Sequence, residues 1–482
     1  MPYFTITDFA AGLDLRRSEL TAPAGTLRSM LNCHVTPGGE IEKRMAFVPF
    51  WECSPASKGL VEVNQKLYTF GPNGPYVTEP PSGVWSVGVL GQATTTIYEI
   101  IDYDLFDNKV FTILWKDAAG TVGRYYDGVD LPLARGFYCR TYKNKMYTVE
   151  GSILYFSATG NAGDWSGMTP PATTWIDLSM GDSDMTDSVA LEVYYDKLAI
   201  FSHTAVQLWV MDPDFTKNQY VQTLRQAGTL AWRSVMQYGS GDVMYLSQSG
   251  VRSLRARNSS LAAAVSDIGS PLDPVFQDLF RYMGEDWMSG AIAILQPVTG
   301  RFWVIMPGSA QYEGGPLTSR IYILSAFPGP KITAWSEYDA GFVITAATIH
   351  NNRVVVRDDH NIVYAYGGIS DDGPTYDDCP VELIFPFHAG NEVATFKTFT
   401  GLDATCAGVP WKVSCAFNVE DQFTEDYVGS FSGATFLQGR FAIHGHSTHM
   451  SLRLRSGGPG SDDAGPQTLS NMVVHYQTSE SG

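Results

Sequence analysis

The chain has 482 residues, 44% apolar and 17% charged, with a formal net charge of −18. That length exceeds one ordinary hydrophobic core and predicts two or three domains. The 25 Tyr, 25 Phe, 11 Trp, 47 Gly and 26 Pro favour strands and turns over helices, so the expected class is all-β. The densest basic pairs are Arg16-Arg17 and Lys43-Arg44, which excludes a sequence reader of DNA, because such a protein needs clustered cations to neutralise phosphates.

Cys33, Cys53, Cys139, Cys379, Cys406 and Cys415 show no CxxC spacing and read as free buried thiols of a reducing compartment. The start of the chain lacks a basic segment followed by an apolar one, and no run of 18 apolar residues occurs. The expectation is a soluble protein, made in a cytoplasm, not exported by a cleaved signal and not inserting into a membrane by itself.

Residues 1–59 hold too few strands for a domain. Ser29 to Val35 reads as a strand, Thr36-Pro37-Gly38-Gly39-Glu40 as a hairpin turn, and Ile41-Glu42-Lys43-Arg44 as the start of the return strand. Such an arm cannot bury its own apolar face, so it must dock on the rest of the chain or on a neighbour.

Residues 60–368 carry a degenerate repeat: a polar turn, a Lys, Arg or Asp, then a short β-branched and aromatic run. The anchors are Lys66, Lys109, Lys145, Lys197, Asp242, Arg301 and Arg353. A turn and strand recurring every ~40–50 residues is the pattern of four-stranded propeller blades. If the Lys66 and Arg353 anchors share one blade the count is six, otherwise seven; the short strand sets flanking the repeat favour six. A helix is expected near 271–283, opened by Ser270-Pro271, with Leu272, Val275, Phe276, Leu279, Phe280 and Met283 on one face. Ser370-Asp371-Asp372-Gly373-Pro374 reads as a linker. Residues 369–482 then alternate as a β-sandwich does, for example Trp411, Val413 and Cys415, with a glycine-rich loop from Gly457 to Pro466. Residues 1–59 are electrically balanced, while 60–368 and 369–482 carry −9 each, so the last quarter holds half of the acidic excess.

Catalytic motifs are absent: there is no Walker A, GxGxxG, HExxH or GxSxG sequence. Ser157 to Trp165 approaches a sialidase-type Asp box, but lacks its Asp and places the Trp one residue late, and so reads as a turn with a packing Trp. Asp182, Asp184 and Asp187 put three carboxylates within six residues, as a Ca²⁺ loop would, without that loop's Gly and terminal Glu. His444, His446 and His449 could be three zinc ligands, but no fourth ligand follows at zinc spacing. The preferred readings are a solvated acidic turn and a polar strand, with no resident metal or cofactor. Paired acids for glycoside cleavage leave no linear signature; Asp102, Asp104 and Asp196 are the ones a propeller's central face could gather.

The arm carries a resemblance. Phe9-x-x-Gly12-Leu13-Asp14, Pro23-x-Gly25-Thr26-Leu27, Asn32 and Gly38-Gly39-Glu40-Ile41-x-Lys43-Arg44 resemble the opening of the tail nozzle, or packaged-DNA stabilisation, proteins of short-tailed bacteriophages. Asp267 to Asp273, Lys331-Ile332-x-Ala334-Trp335-Ser336-x-Tyr338 and the closing sandwich are similar to the same group. The resemblance implies a non-enzymatic virion protein, assembled in the host cytoplasm into the viral tail. It implies a homohexameric ring under the portal and adaptor ring, with a β-propeller on each subunit and a platform of flanking β-domains. Such a ring extends the DNA channel, acts in genome retention and ejection, contacts tail fibres or spikes, and passes double-stranded DNA without sequence-specific contact. On that reading Asp371, Asp372, Asp377 and Asp378 line the channel, where carboxylates repel phosphates. The rival expectation is a carbohydrate-binding or glycan-hydrolysing propeller protein of a virion.

Overall fold

A computed structural model describes residues 2–478 apart from 24, 72–85, 91–96, 167–174, 240, 259–266, 311–314, 391, 392, 394, 422, 423 and 459–462. Ser240 of the fifth anchor turn and part of the Gly457–Pro466 loop lie outside the described residues.

Each repeat anchor opens or immediately precedes the second strand of a blade. Blade 1 comprises Lys58–Val63, Lys66–Phe70 and Ser86–Leu90. Blade 2 comprises Glu99–Phe106, Lys109–Trp115, Val122–Tyr126 and Val129–Asp130. Blade 3 is Tyr138–Tyr142, Lys145–Glu150, Ile153–Phe156 and Trp175–Asp177. Blade 4 is Ser188–Tyr194, Lys197–Ser202, Ala205–Val210 and Gln219–Arg225. Blade 5 has three strands, Met236–Tyr238, Asp242–Ser247 and Gly250–Ser253. Blade 6 is Ile292–Leu295, Phe302–Ile305, Arg320–Phe327 and Ile332–Asp339. Blade 7 takes Ile344–His350, Arg353–Asp358 and Ile362–Tyr366, and its fourth strand is Phe47–Glu52 from the arm.

The chain is therefore an all-β propeller with seven blades among the described residues, not the favoured six. The Lys66 and Arg353 anchors occupy separate sheets, and the strand that closes the circle comes from residues 47–52 instead. Pro49 hides that strand in the sequence; it is tolerated because the strand is the outermost of its sheet. Phe47–Glu52 thus belongs to the propeller, although the 1–59 arm contains it. The anchor turns are tight hairpins with left-handed residues: Asn64-Gln65, Asp107-Asn108, Lys143-Asn144 and Asn351-Asn352 all have positive φ. Turns of this hand match the twist of the strands they join.

The expected helix forms at Asp273–Met283 after a 3-10 turn at Ser270–Leu272. Leu272 and Phe276 are fully buried, while Met283, expected on the same face, is 41% exposed. The helix packs on Gly250–Ser253, the last strand of three-stranded blade 5. Asp273 accepts a 2.7 Å bond from Arg252 Nη1, and the Phe276 ring meets Tyr322 of blade 6 at 5.1 Å. No helix among the described residues is long and apolar enough to cross a membrane.

The arm and the last quarter of the chain build two more sheets together. In the first, Tyr3–Ile6, Cys33–Val35 and Ile41–Lys43 join Lys397–Gly408, Phe441–Ser447 and Gln467–Thr478. In the second, Ser29–Leu31 joins Val381–Ile384, Ser451–Ser456, Trp411–Ala416 and Asp426–Phe431, and also touches Ile332–Asp339 of blade 6. One apolar core runs through both sheets and into blades 5 and 6. All six cysteines are buried and free.

Gly12, Asn32, Lys43 and Arg44, four of the residues that carry the resemblance, sit at this junction. Gly12 has φ +57°, and a Cβ there would lie 2.6 Å from the Trp335 carbonyl oxygen, so only glycine lets the arm approach blade 6. Asn32, also left-handed, donates Nδ2 to the Pro380 carbonyl at 2.7 Å. Its Oδ1 accepts from Arg44 Nε and from the Asp339 N–H, both at 2.9 Å. Buried Lys43 donates to the Asp377 and Asp463 carbonyls. Replacing Asn32 with Ala leaves the buried Arg44 Nε, the Asp339 N–H and the Pro380 carbonyl without their partner and puts Ala in a costly backbone region. Asn32→Ala is expected to lower unfolding stability by about 2–4 kcal/mol, read as a lower urea midpoint with an unchanged slope.

Candidate functional site

One strand or turn from every blade lines a cavity of about 420 Å³ on the propeller axis. The contributions include Leu60, Asp102, Arg140, Glu192, Trp232, Ile294 and Ala346, one each from the seven blades or their entry turns. One side is aliphatic, and the other gathers the charged side chains.

Asp102 and Asp104 alternate on the first strand of blade 2, beside a bulge at Ile100/Asp102. They reach the free edge of the first strand of blade 3. Asp102 Oδ2 accepts the Cys139 N–H at 2.8 Å and Asp104 Oδ2 accepts the Thr141 N–H. Between those two residues Arg140 points onward to blade 4, donating Nε to the Leu191 carbonyl at 3.2 Å and lying 3.1 Å from Glu192 Oε2. It also lies 3.6 Å from Asp104 Oδ1. The cluster therefore sews the first strands of blades 2, 3 and 4 together, using N–H groups that a propeller's innermost edges leave unpaired.

Burial is the dominant electrostatic force here. It pushes the Asp102 carboxyl up to about 7, against the pull of Arg140 and the N–H of Cys139. Burial likewise raises Glu192, with Arg140 opposing. Burial works against the charge of Arg140 too, but Glu192, Asp104 and Asp102 outweigh it and hold the guanidinium protonated. The pair thus favours the arginine more than the carboxylate, as fits a Glu192 side chain 9% exposed against 27% for Arg140.

Arg233 enters from the turn before blade 5, stacked on Trp232 at 4.6 Å. It crosses the axis, and its Nη2 donates to the Ile100 carbonyl of blade 2 at 2.6 Å. Its Nη1 reaches the Thr345 carbonyl of blade 7 at 3.5 Å. A second cavity of about 270 Å³ lies on the other side of this residue.

Of the acids that the sequence offered for the central face, Asp102 and Asp104 are there. Asp196 is not; it lies in the exposed hairpin turn of blade 4, paired with Lys197. Glu192 and Arg140 were not singled out. Their only signal was a charge inside an otherwise apolar or aromatic run, as in Leu191-Glu192-Val193.

The other candidates do not meet at the axis. Asp182 and Asp184 share Arg225, and Asp187 lies beside His203. His444 is exposed, His446 stacks on Phe396 at 5.2 Å, and His449 hydrogen-bonds Thr448. Among the described residues the group whose ligand atoms lie within 4.8 Å of one another is Asp358, Asp359 and His360. Asp358 there already accepts from the Ile362 N–H and the Tyr364 hydroxyl. Trp165 of the Asp-box-like turn is buried and donates to the Ala162 carbonyl. Asp371 is fully exposed beside Arg353, and Asp372 is exposed beside Ser370. Asp377 is engaged with buried Arg44 at 3.0 Å, and the Asp378 carbonyl accepts the Gly458 N–H. None of these four lines the axial cavity.

Two outcomes are expected at the axis. A carboxyl raised from about 3.9 in the unfolded chain to about 7 holds its proton more tightly when folded, so its contribution to stability falls as pH rises between those values. Arg140→Met leaves buried Glu192 and half-buried Asp104 without a counter-charge. It should cost about 3–5 kcal/mol at pH 8, with part regained at pH 5, as measured by denaturation at both pH values.

No family model and no curated protein matches the sequence. Solved structures that resemble the chain include the computationally designed Ika8 protein, at 12% identity over 67% of this chain and 99% of that one, TM-score 0.32. Hsv2 of Kluyvelomyces marxianus matches at 8% identity over 69% of this chain and 98% of its own, TM-score 0.33. BamB of Moraxella catarrhalis matches at 11% identity over 55% and 82%, TM-score 0.29. Each superposes only loosely.

Proposed function

We propose that this chain is a structural virion protein of the tail-nozzle type, acting without catalysis. In this reading six copies form a ring below the portal and adaptor, extend and help close the DNA channel, and offer surfaces to tail fibres or spikes. The observation that carries it is the location of the motif residues: Gly12, Asn32, Lys43 and Arg44 are the buried residues that join arm, propeller and platform.

The acidic wall is narrower than four residues. Asp371, beside Arg353, and Asp372 are exposed, while Asp377 is committed to Arg44. Carboxylates on a channel wall keep DNA phosphates from sticking. Electron microscopy of assembled particles should show a six-fold ring with an open central channel. Particles carrying Asp371→Lys and Asp372→Lys together should release DNA more slowly than wild type; unchanged ejection kinetics would remove the lumen assignment.

A second reading, glycan binding or cleavage, is favoured by the axial cavity with its four carboxylates, Glu62, Asp102, Asp104 and Glu192, and an Asp102 poised near neutrality. It requires an isolated monomer to bind or hydrolyse a glycan and to lose that activity in Asp102→Asn.

A further inference from the structure

The charges that line the axial cavity do not balance. Glu62, Asp102, Asp104 and Glu192 bring four carboxyl groups to it, and Arg140 and Arg233 bring two guanidinium groups. None of the residues outside the described ones is a Lys or Arg, so their side chains add no positive charge. Arg140 is engaged with Glu192 and Asp104, at 3.1 and 3.6 Å. Arg233 donates to the Ile100 and Thr345 carbonyls. Asp102 is 6% exposed, accepts the N–H groups of Tyr103 and Cys139, and forms an ion pair with neither arginine. Glu62 accepts the Gln65 N–H and likewise has no ion pair among the described residues. An ionised carboxylate has about four acceptor positions, so both have room for further donors.

The facing wall is aliphatic, built from Leu60, Val235, Ile292, Ile294, Ala347 and Ile349. A cavity of about 420 Å³ is of the size that small organic ligands occupy. One wall suits a cation and the other a carbon chain. A metal ion suits the space poorly. Hard cations gather several oxygens at one point, whereas the axial carboxylates do not bring three ligand atoms within 4.8 Å of one another.

We propose that the axial cavity binds a small aliphatic amine as its alkylammonium ion, with the charged head among Glu62, Asp102 and Asp104 and the carbon chain along the aliphatic wall. An ammonium group brings three donors and the positive charge that the lining lacks. Its arrival is coupled to a proton. Asp102 is faced by Tyr103 and Asp104 on its own strand, by Tyr138, Cys139 and Arg140 of blade 3, and by Arg233 before blade 5. Burial holds its carboxyl up at about 7, so below that pH it keeps a proton when no further cation lies beside it. A bound ammonium favours the ionised form and expels that proton, so affinity rises with pH until Asp102 ionises unaided. The site lies within one copy and involves no cleavage, and so goes beyond both functional readings.

Isothermal titration calorimetry of the full chain with n-pentylamine tests this, with pentan-1-ol and calcium chloride as comparisons. One amine should bind per chain, at least about tenfold more tightly than pentan-1-ol or Ca²⁺. Its affinity should be about tenfold higher at pH 8 than at pH 6, with about one proton released at pH 6, read from the buffer dependence of the heat. Ala347→Leu fills the aliphatic wall and touches no charge, and Glu62→Gln removes one carboxylate while keeping an acceptor for Gln65. Each should weaken pentylamine about tenfold with an unchanged melting temperature, and Asp102→Asn should abolish the pH dependence. If Asp102→Asn fails to fold, the other two variants decide. No saturable binding, equal binding of pentan-1-ol or tighter binding of Ca²⁺ overturns the proposal. So does an affinity indifferent to pH, or binding that survives both Ala347→Leu and Glu62→Gln. Failure here leaves the ring reading standing, and a missing ring leaves the amine site standing.

Discussion

Arg44 is a fully charged group with almost no access to water, 3% exposed, and the architecture turns on how its charge is satisfied. Its guanidinium donates to Asn32 Oδ1 in the arm, to the Met45 carbonyl, to the Asp377 carboxylate in the linker and to the Asp339 carbonyl at the end of blade 6. Three segments distant in sequence, the arm, the linker and blade 6, are thereby brought to one point. Three residues later the chain enters Phe47–Glu52, whose first ring lies 5.3 Å from the same guanidinium. A buried arginine is a costly way to join segments, since removing the Asp377 carboxylate leaves its charge uncompensated and removing any other acceptor leaves a buried donor unpaired. That cost makes the junction specific.

Much of the propeller was legible because its signal is local. A hairpin whose turn needs two left-handed residues draws on Asn, Asp and Gly, and the strand after it is β-branched and aromatic, so Asp107-Asn108 and Asn351-Asn352 mark the second strand of their blades. Seven anchors meant seven blades. The error of one came from the closing strand, which is contributed from outside the repeat and carries Pro49, a residue that argues against a strand unless the strand is known to be outermost. The platform was legible as two incomplete halves. Alternation in residues 381–476 announced a sandwich, and the arm was too short to fold alone; the exact strand pairings, such as Ser29–Leu31 beside Val381–Ile384, carry no linear mark.

The axial cluster was half legible for the same reason. Asp102, Asp104, Arg140 and Glu192 come from three blades, and their meeting is set by the circular arrangement, which no spacing encodes. What a sequence does show is the oddity of a charge inside a buried strand. In this fold such a charge finds its use at the innermost edge, where unpaired main-chain N–H groups of the next blade await an acceptor. The candidates away from the axis teach the complement. Asp182, Asp184 and Asp187 cluster in sequence, yet Arg225 neutralises the first two and Asp187 turns to His203.

These devices bear on how the molecule holds together. A propeller is stable only when its circle closes, and here the closing strand is hung directly from Arg44, which belongs to the junction with the platform. Closing the last blade therefore requires the arm to be docked, and docking the arm requires the sheets completed by residues 381–476. Arg233 adds a tie across the diameter, from the entry of blade 5 to blades 2 and 7, so a disturbance at one side of the ring is felt at the other. The contacts that matter most join residues hundreds of positions apart, a topology in which partial structures gain little until the last piece arrives. Propeller and platform are thus bound to form and fail together, and the axis, crossed by Arg233, serves as a structural hub instead of a free passage.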